Sequence, residues 1–116
     1  MGGHYIPRQD GEFDIWFLNL LQYIRKKTQE GPGRWTDIPE REISALIAAN
    51  EDWRTYYEPT LLPHTPAATA DKNNARKRAE SVISHFVQRF LQWHQVTDAD
   101  RVNMRIPTRE KTRAVH

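Results

Sequence analysis

Cysteine is absent from all 116 residues of the chain. Its absence excludes a disulfide framework, a thiolate zinc site and a cysteine nucleophile, and it leaves the redox compartment undetermined. Glycine is scarce as well, with five residues, and the cluster Gly31-Pro32-Gly33 lacks the strand and the lysine that a phosphate-binding loop needs. We therefore interpret this cluster as a turn.

Long hydrophobic runs are also missing. No window approaches the roughly 18 consecutive apolar residues that a membrane-spanning helix needs, and the first ten residues lack the apolar core of a signal peptide. With 38% hydrophobic residues, the length suits one domain that buries a core of its own. We therefore expect a soluble, cytoplasmic protein that makes no contact with a membrane.

The residue patterns of common metal and catalytic sites do not occur. A two-metal site in a helical bundle needs Glu-x-x-His pairs, and the sequence contains none. The five histidines show no ligand spacing. Ser84 and His85 are adjacent, and adjacent side chains on a helix diverge by about 100°, so they cannot pair as nucleophile and base. We predict no metal, no cofactor and no enzymatic activity.

The net charge is small, at +2, and unevenly distributed. Residues 101–116 contain five basic residues and one acidic residue, a net of +4, which leaves −2 for the rest of the chain. The high isoelectric point therefore reflects the carboxyl-terminal segment and is weak support for a nucleic-acid-binding fold. We expect a helical bundle domain at residues 1–107 and a basic flexible tail, or the start of a linker, at 108–116.

Apolar residues recur at the helical period of 3.6 in three long segments. The first runs from Asp10, as its N-cap, to about residue 29, and the second runs from Pro39 to about Pro59. Their apolar stripes consist of Phe13, Trp16, Phe17, Leu20, Leu21 and Ile24 in the first segment, and of Ile43, Leu46, Ile47, Trp53 and Tyr57 in the second. These stripes predict two helices that pack against other helices.

The third segment, from Thr65 to His94, has the most extended pattern. Thr65 suits the N-cap and Pro66 the first helical position. Its apolar stripe consists of Ala75, Ala79, Val82, Ile83, Phe86, Val87, Phe90 and Trp93. Small residues at one end and bulky residues at the other predict a bundle core that widens along this helix.

A fourth, short helix begins at a capping-box pattern. Thr97 stands three residues before Asp100, and the Ile106-Pro107 pair closes the segment. Together the four segments predict an all-α fold, an antiparallel bundle of three long helices plus a short fourth helix.

Several segments resemble a family of uncharacterised bacterial proteins. The shared residues are Tyr5-Ile6-Pro7 with Asp10, Phe13 and Trp16, the Trp53 and Tyr57 pair, Ala70-Asp71-Lys72-Asn73 with Ala75-Arg76, and Thr97-Asp98 with Ile106-Pro107. The resemblance implies an amino-terminal helical bundle, usually followed by a β-sandwich of immunoglobulin or fibronectin type. Two departures are Arg105, where the family tends to have glycine, and the end of the chain at His116 without a β module. The resemblance carries over no catalytic residue.

The candidate partner contacts are apolar residues outside the core stripes. Ile15 and Leu18 lie on roughly the opposite side of the first helix from its stripe, so they form an interface unless Tyr5 and Ile6 fold back over them. Trp35 lies in a loop and either contacts a partner or plugs the end of the bundle. We therefore predict a noncatalytic interaction or structural module that binds another chain, a following β-sandwich domain or a second copy of itself.

Polar residues provide the alternative interpretations. Lys72, Arg76, Lys77 and Arg78 form the strongest basic cluster, which is either a solvated helix face or, with the tail, a contact for nucleic-acid phosphates. Asn50 falls in the middle of an apolar stripe. We expect it to form a hydrogen bond across the core, with a ligand contact as the alternative.

Overall fold

The computed structural model describes residues 5–29, 31 and 33–108, which form three long helices and one short helix. The helices are α1 at Asp10–Gln29, α2 at Glu40–Tyr57, α3 at Pro66–Phe86 and α4 at Asp98–Met104. A 3-10 turn at Glu58–Leu61 follows α2, and a π-helical segment at Val87–Leu91 continues α3. The predicted fold class is confirmed. The predicted tail lies outside the described residues except for Thr108.

Hydrogen bonds between side chains show how the long helices run. The indole Nε1 of Trp53 donates to Asp14 at 2.9 Å, so the end of α2 lies beside the start of α1. At the other end of the pair, Arg25 lies 3.0 Å from Glu40. These contacts make α1 and α2 antiparallel. Within the described residues, no helix combines the length and apolar content needed to cross a bilayer.

Aromatic rings fill the core between α1 and α2. Phe13 meets Trp53 edge-on with ring centroids 5.0 Å apart, and Trp53 stacks on Tyr57 at 4.7 Å.

On α3, Ala75 and Ala79 are fully buried, and their small side chains let the α2 backbone approach closely. The predicted core widens along α3, and its narrow end, where the small residues lie, is therefore present in the structure.

The third helix ends earlier than the sequence pattern predicts. Its regular part stops at Phe86, the π-helical segment reaches Leu91, and residues 92–95 form turns and a bend. A π turn contains an additional residue, so it rotates the following side chains away from the 3.6 register. Leu91 is therefore buried where the pattern placed Phe90 and Trp93, and both of those rings are half-buried.

The helix caps that the sequence predicts from residues three positions apart are present in the structure. The Thr65 hydroxyl accepts a hydrogen bond from the Ala68 amide, and Thr97 and Asp100 form a reciprocal capping box. Asp10 differs from the prediction, because it is the first residue of α1 and its carboxylate binds cations on α3. Arg105 adopts a left-handed conformation with φ of 59° at the end of α4, which for a non-glycine residue costs about 1–2 kcal/mol.

Arg101 is a core residue, although it belongs to the basic carboxyl-terminal segment of residues 101–116. Its side chain is 2% exposed, and its guanidinium donates to the carbonyl oxygens of Leu91 at 2.7 Å and Trp93 at 2.8 Å. It also donates to Asp98 at 2.8 Å. These bonds give a charged donor to carbonyls at the end of α3, where the Trp93 carbonyl also accepts from the Val96 amide at 3.0 Å, and they hold α4 beside α3.

A second set of contacts joins α4 to α1. Trp16 Nε1 donates to the Met104 carbonyl at 3.1 Å, and the Tyr23 hydroxyl donates to Asp100 at 2.6 Å. Burial alone would raise the pKa of Asp100, but hydrogen bonds from Tyr23 and Thr97 and the charge of Lys27 outweigh burial and hold that pKa below its ordinary value. The Asp100 carboxylate is therefore ionised when it binds Tyr23 near neutral pH.

Replacing Arg101 tests whether its guanidinium holds the end of the bundle together. We expect Arg101→Ala to lower the free energy of unfolding by about 3 kcal/mol, because buried carbonyls and Asp98 lose their charged partner. Chemical denaturation followed by far-UV circular dichroism measures this loss. Arg41→Ala is the matched control, since the Arg41 side chain is mostly exposed and its removal should change stability by less than about 0.5 kcal/mol. Equal effects of the two variants would contradict the assignment.

Candidate functional site

The outer face of α1 carries apolar side chains that the bundle leaves in solvent. Ile15 is 71% exposed and Leu18 is 39% exposed, whereas the residues of the predicted stripe on the same helix are buried. Gln22 is exposed and follows Leu18 at the helical spacing, one turn further along α1. We call Ile15, Leu18 and Gln22 the α1 ridge. The structure brings the two predicted residues Ile15 and Leu18 together on this ridge.

Concave surfaces lie on both sides of the α1 ridge. One groove, of about 420 Å³, is lined by Leu21, Gln22, Arg25, Lys26 and Gln29. A cleft of about 290 Å³ on the other side is lined by Ile15, Trp16, Asn19, Asn103 and Arg105. The last two residues belong to the α4 segment, so the packing of α4 on α1 creates this cleft. The ridge therefore projects between two recesses that apolar or polar groups of a partner can enter.

Two charged residues beside the α1 ridge are unpaired within the part of the chain that the structure describes. Glu12 and Lys26 are exposed, and among the described residues neither has an ion-pair partner. Arg25 differs, because its guanidinium lies 3.0 Å from Glu40. The sequence analysis did not single out Glu12 or Lys26, since pairing depends on which charges the fold brings together. These two residues give the ridge a negative end and a positive end.

Tyr5 and Ile6 pack on the bundle but do not cover the α1 ridge. Ile6 is buried in the core, and the Tyr5 ring lies 6.1 Å from the Trp16 ring. Burial raises the pKa of Tyr5, and a hydrogen bond with Ser84 opposes part of that effect. Because Ile15 stays exposed, the interpretation in which Tyr5 and Ile6 fold back over this face is wrong.

Trp35 lies inside the end of the bundle and not on its surface. Its side chain is 2% exposed, and its backbone amide donates to the Lys27 carbonyl at 2.9 Å. The indole lies 6.1 Å from the Tyr23 ring, with the Lys27 ammonium 6.0 Å from its centroid. A ring buried in this way is not available to a partner, so the structure favours the alternative in which Trp35 plugs the bundle.

The basic cluster on α3 is largely engaged in ion pairs within the bundle. Lys72 Nζ lies 2.6 Å from one Asp10 oxygen and Arg76 Nη1 lies 2.9 Å from the other. Arg76 also contacts Glu80 at 2.6 Å, and its guanidinium lies 4.3 Å from the centroid of Phe13. The Asp10 carboxylate thus joins the start of α1 to α3 through both cations.

The rest of the basic cluster divides between a paired and an unpaired residue. Arg78 donates to both oxygens of Asp52 on α2, at 2.9 and 3.1 Å. Lys77 is exposed and has no ion-pair partner among the described residues. Three of the four predicted phosphate contacts therefore have carboxylate partners already, and one positive side chain of the cluster is left free.

Two further features differ from the sequence expectations. Asn50 is buried, but its Nδ2 has no hydrogen-bond partner within the described part of the chain, so the predicted bond from that amide across the core is absent. Leu61 and Leu62 are exposed at the α2–α3 connection and form a second apolar surface. In the sequence, the signal for this apolar surface is the pair of consecutive leucines between Pro59 and Pro63. Among the described residues, no group of three or more histidine or carboxylate side chains is arranged to hold a metal ion.

Comparison of the chain with protein-family models, with curated proteins and with solved structures finds no match. The resemblance to bacterial two-domain proteins therefore stays a prediction. The candidate site rests on the geometry of the α1 ridge itself.

The pH dependence of stability tests the Asp10 ion pairs. Burial raises the pKa of Asp10, but hydrogen bonds from Lys72 and Arg76 and their charges outweigh it and lower that pKa below its ordinary value. A lowered pKa in the folded state stabilises the protein above the unfolded-state value, near about 3.9, and the stabilisation disappears as the pH falls through the folded-state pKa.

We therefore expect Asp10→Asn to lower the free energy of unfolding by about 1 kcal/mol near pH 7, a modest value because the carboxylate is partly exposed. The difference from the unmodified protein should shrink toward zero as the pH falls through the lowered folded-state pKa of Asp10. Chemical denaturation at a series of pH values measures it. A difference that stays constant across the series would show that the ion pairs are not its cause.

Proposed function

We propose that the chain is a noncatalytic helical interaction module that binds another protein through the α1 ridge. The observation that carries this proposal is the exposure of Ile15 and Leu18 on a well-ordered helix between two recesses. Burying an apolar side chain releases about 1.5–3 kcal/mol relative to leaving it in water. A partner that covers the ridge would recover that free energy for both side chains.

The surroundings of the ridge support a binding role. Protein interfaces commonly have an apolar centre within a polar rim. Here Glu12, Asn19 and Lys26 provide such a rim around Ile15 and Leu18, and all three are exposed. We propose that the module acts in the cytoplasm without a metal or cofactor. Its partner is another chain, or a following β-sandwich domain of the kind that the bacterial resemblance implies.

Nucleic-acid binding has less support. A protein that binds the phosphate backbone needs cations that are free to replace counterions. On α3, Lys72, Arg76 and Arg78 are held by carboxylates of the bundle, and Lys77 is the member of that cluster left unpaired.

A salt titration separates the two functions. We expect duplex and single-stranded DNA to show no measurable affinity for the protein at low salt, because the cations of α3 are compensated. Fluorescence anisotropy of labelled DNA provides the measurement. Micromolar binding with a steep dependence on salt, lost in Lys77→Glu, would favour the nucleic-acid function instead.

Paired variants test the α1 ridge as a protein-binding surface. Affinity capture from cells that produce the protein naturally, quantified by mass spectrometry, should retain a specific protein with the unmodified chain. The same protein should be lost with Ile15→Ser/Leu18→Ser and kept with Leu61→Ser/Leu62→Ser, which removes the other exposed apolar pair. All four residues are exposed, so both variants should fold with less than about 0.5 kcal/mol change in stability per site. Equal capture by both variants would contradict the proposal.

A further inference from the structure

We propose that the partner of the α1 ridge is a second copy of this chain, bound through antiparallel pairing of the two α1 helices. This inference rests on the proposed function, because it identifies the partner of the same surface. It is carried by the arrangement of uncompensated charge along α1, which is complementary to itself when the helix is reversed.

Glu12 and Lys26 have the spacing that this pairing requires. They are 14 residues apart, which is about 21 Å along the helix and nearly four full turns, so both lie on the same flank of the α1 ridge. A two-fold axis near residue 19 would place Glu12 of each copy opposite Lys26 of the other. One symmetry operation forms both contacts, as in any isologous interface.

The apolar residues fit the same register. With the axis near residue 19, Ile15 of one copy lies level with residues 22–25 of the other, where the groove beside the ridge opens. That groove, of about 420 Å³, is lined by Leu21, Gln22, Arg25, Lys26 and Gln29. Ile15 of each copy enters the groove of the other copy, as a knob enters the hole of a facing helix in a coiled coil.

Charge also selects the direction of pairing. Glu12 lies in the first turn of α1 and Lys26 in its last turn, whereas Asp10 and Lys27 are engaged in ion pairs within the bundle. In the antiparallel pair, acidic first turns meet basic last turns and the two helix dipoles oppose each other favourably. A parallel pair would place Glu12 beside Glu12 and Lys26 beside Lys26. Repulsion therefore disfavours the parallel alternative.

The contact involves one helix face on each copy, so we expect a weak dimer that forms as the protein concentration rises. Interfaces of small area belong to weak or transient associations. Exposed charge pairs are screened by salt. The dissociation constant should therefore increase with ionic strength.

Charge reversal at Glu12 and at Lys26 tests the register of the antiparallel α1 pair. Sedimentation equilibrium should show that Glu12→Lys and Lys26→Glu each weaken self-association roughly tenfold, because each change creates two like-charge contacts per dimer. The double variant Glu12→Lys/Lys26→Glu should restore the affinity. Lys77→Glu, which reverses an exposed and unpaired charge on α3, is the matched control and should leave self-association unchanged.

Mixing the two single variants gives a second, independent measurement. One variant carries lysine at both positions and the other carries glutamate at both, so the mixture should form a heterodimer more readily than either variant forms a homodimer. A protein that stays monomeric at all concentrations, or a dimer that ignores these charge changes, would overturn the inference. In that case a specific partner captured through Ile15 and Leu18 would leave the proposed function intact and identify another protein as the occupant.

Discussion

The buried guanidinium of Arg101 is the interaction on which the end of this bundle depends. Arg101 donates to the carbonyl oxygens of Leu91, the last residue of the π-helical segment, and of Trp93, and it also binds Asp98. These bonds keep α4 against the bundle. From that position α4 accepts hydrogen bonds from α1 and forms one wall of the cleft beside the α1 ridge. Arg101 does not line this cleft, but it holds the helix that forms one of the cleft's walls.

Charge is used for two purposes in the same molecule. Asp10 joins α1 to α3 through Lys72 and Arg76, and Arg78 joins α3 to α2 through Asp52. Ion pairs of this kind fix the relative positions of helices whose apolar stripes alone would tolerate some sliding. Charges that take part in them are not available for recognition. Glu12 and Lys26 take part in no ion pair within the described residues and lie beside the α1 ridge, and for both reasons we assign them to binding.

Sequence periodicity predicted the helices well because each apolar stripe repeats many times along a segment. Local caps were equally predictable, since Thr65 and Thr97 bind amides only three residues away. The exposure of Ile15 followed from its angle on α1. Sequence reasoning left the outcome open, or missed it, where one distant contact decides it. The sequence allows Trp35 either to contact a partner or to plug the bundle, and the residue is buried because the loop folds onto the end of α1. The burial of Arg101 was not predicted, and it follows from hydrogen bonds to the carbonyls of Leu91 and Trp93.

By itself, therefore, the sequence determined the helical class, the order of the helices and the side of α1 that faces water, because these follow from residue spacing within each segment. The tertiary structure decided which charged groups are neutralised and which recesses flank the exposed residues, because both depend on the packing of segments far apart in the chain. Glu12 and Lys26 look like ordinary surface charges in the sequence. They become a candidate recognition pair only after the fold has paired many of the other charges.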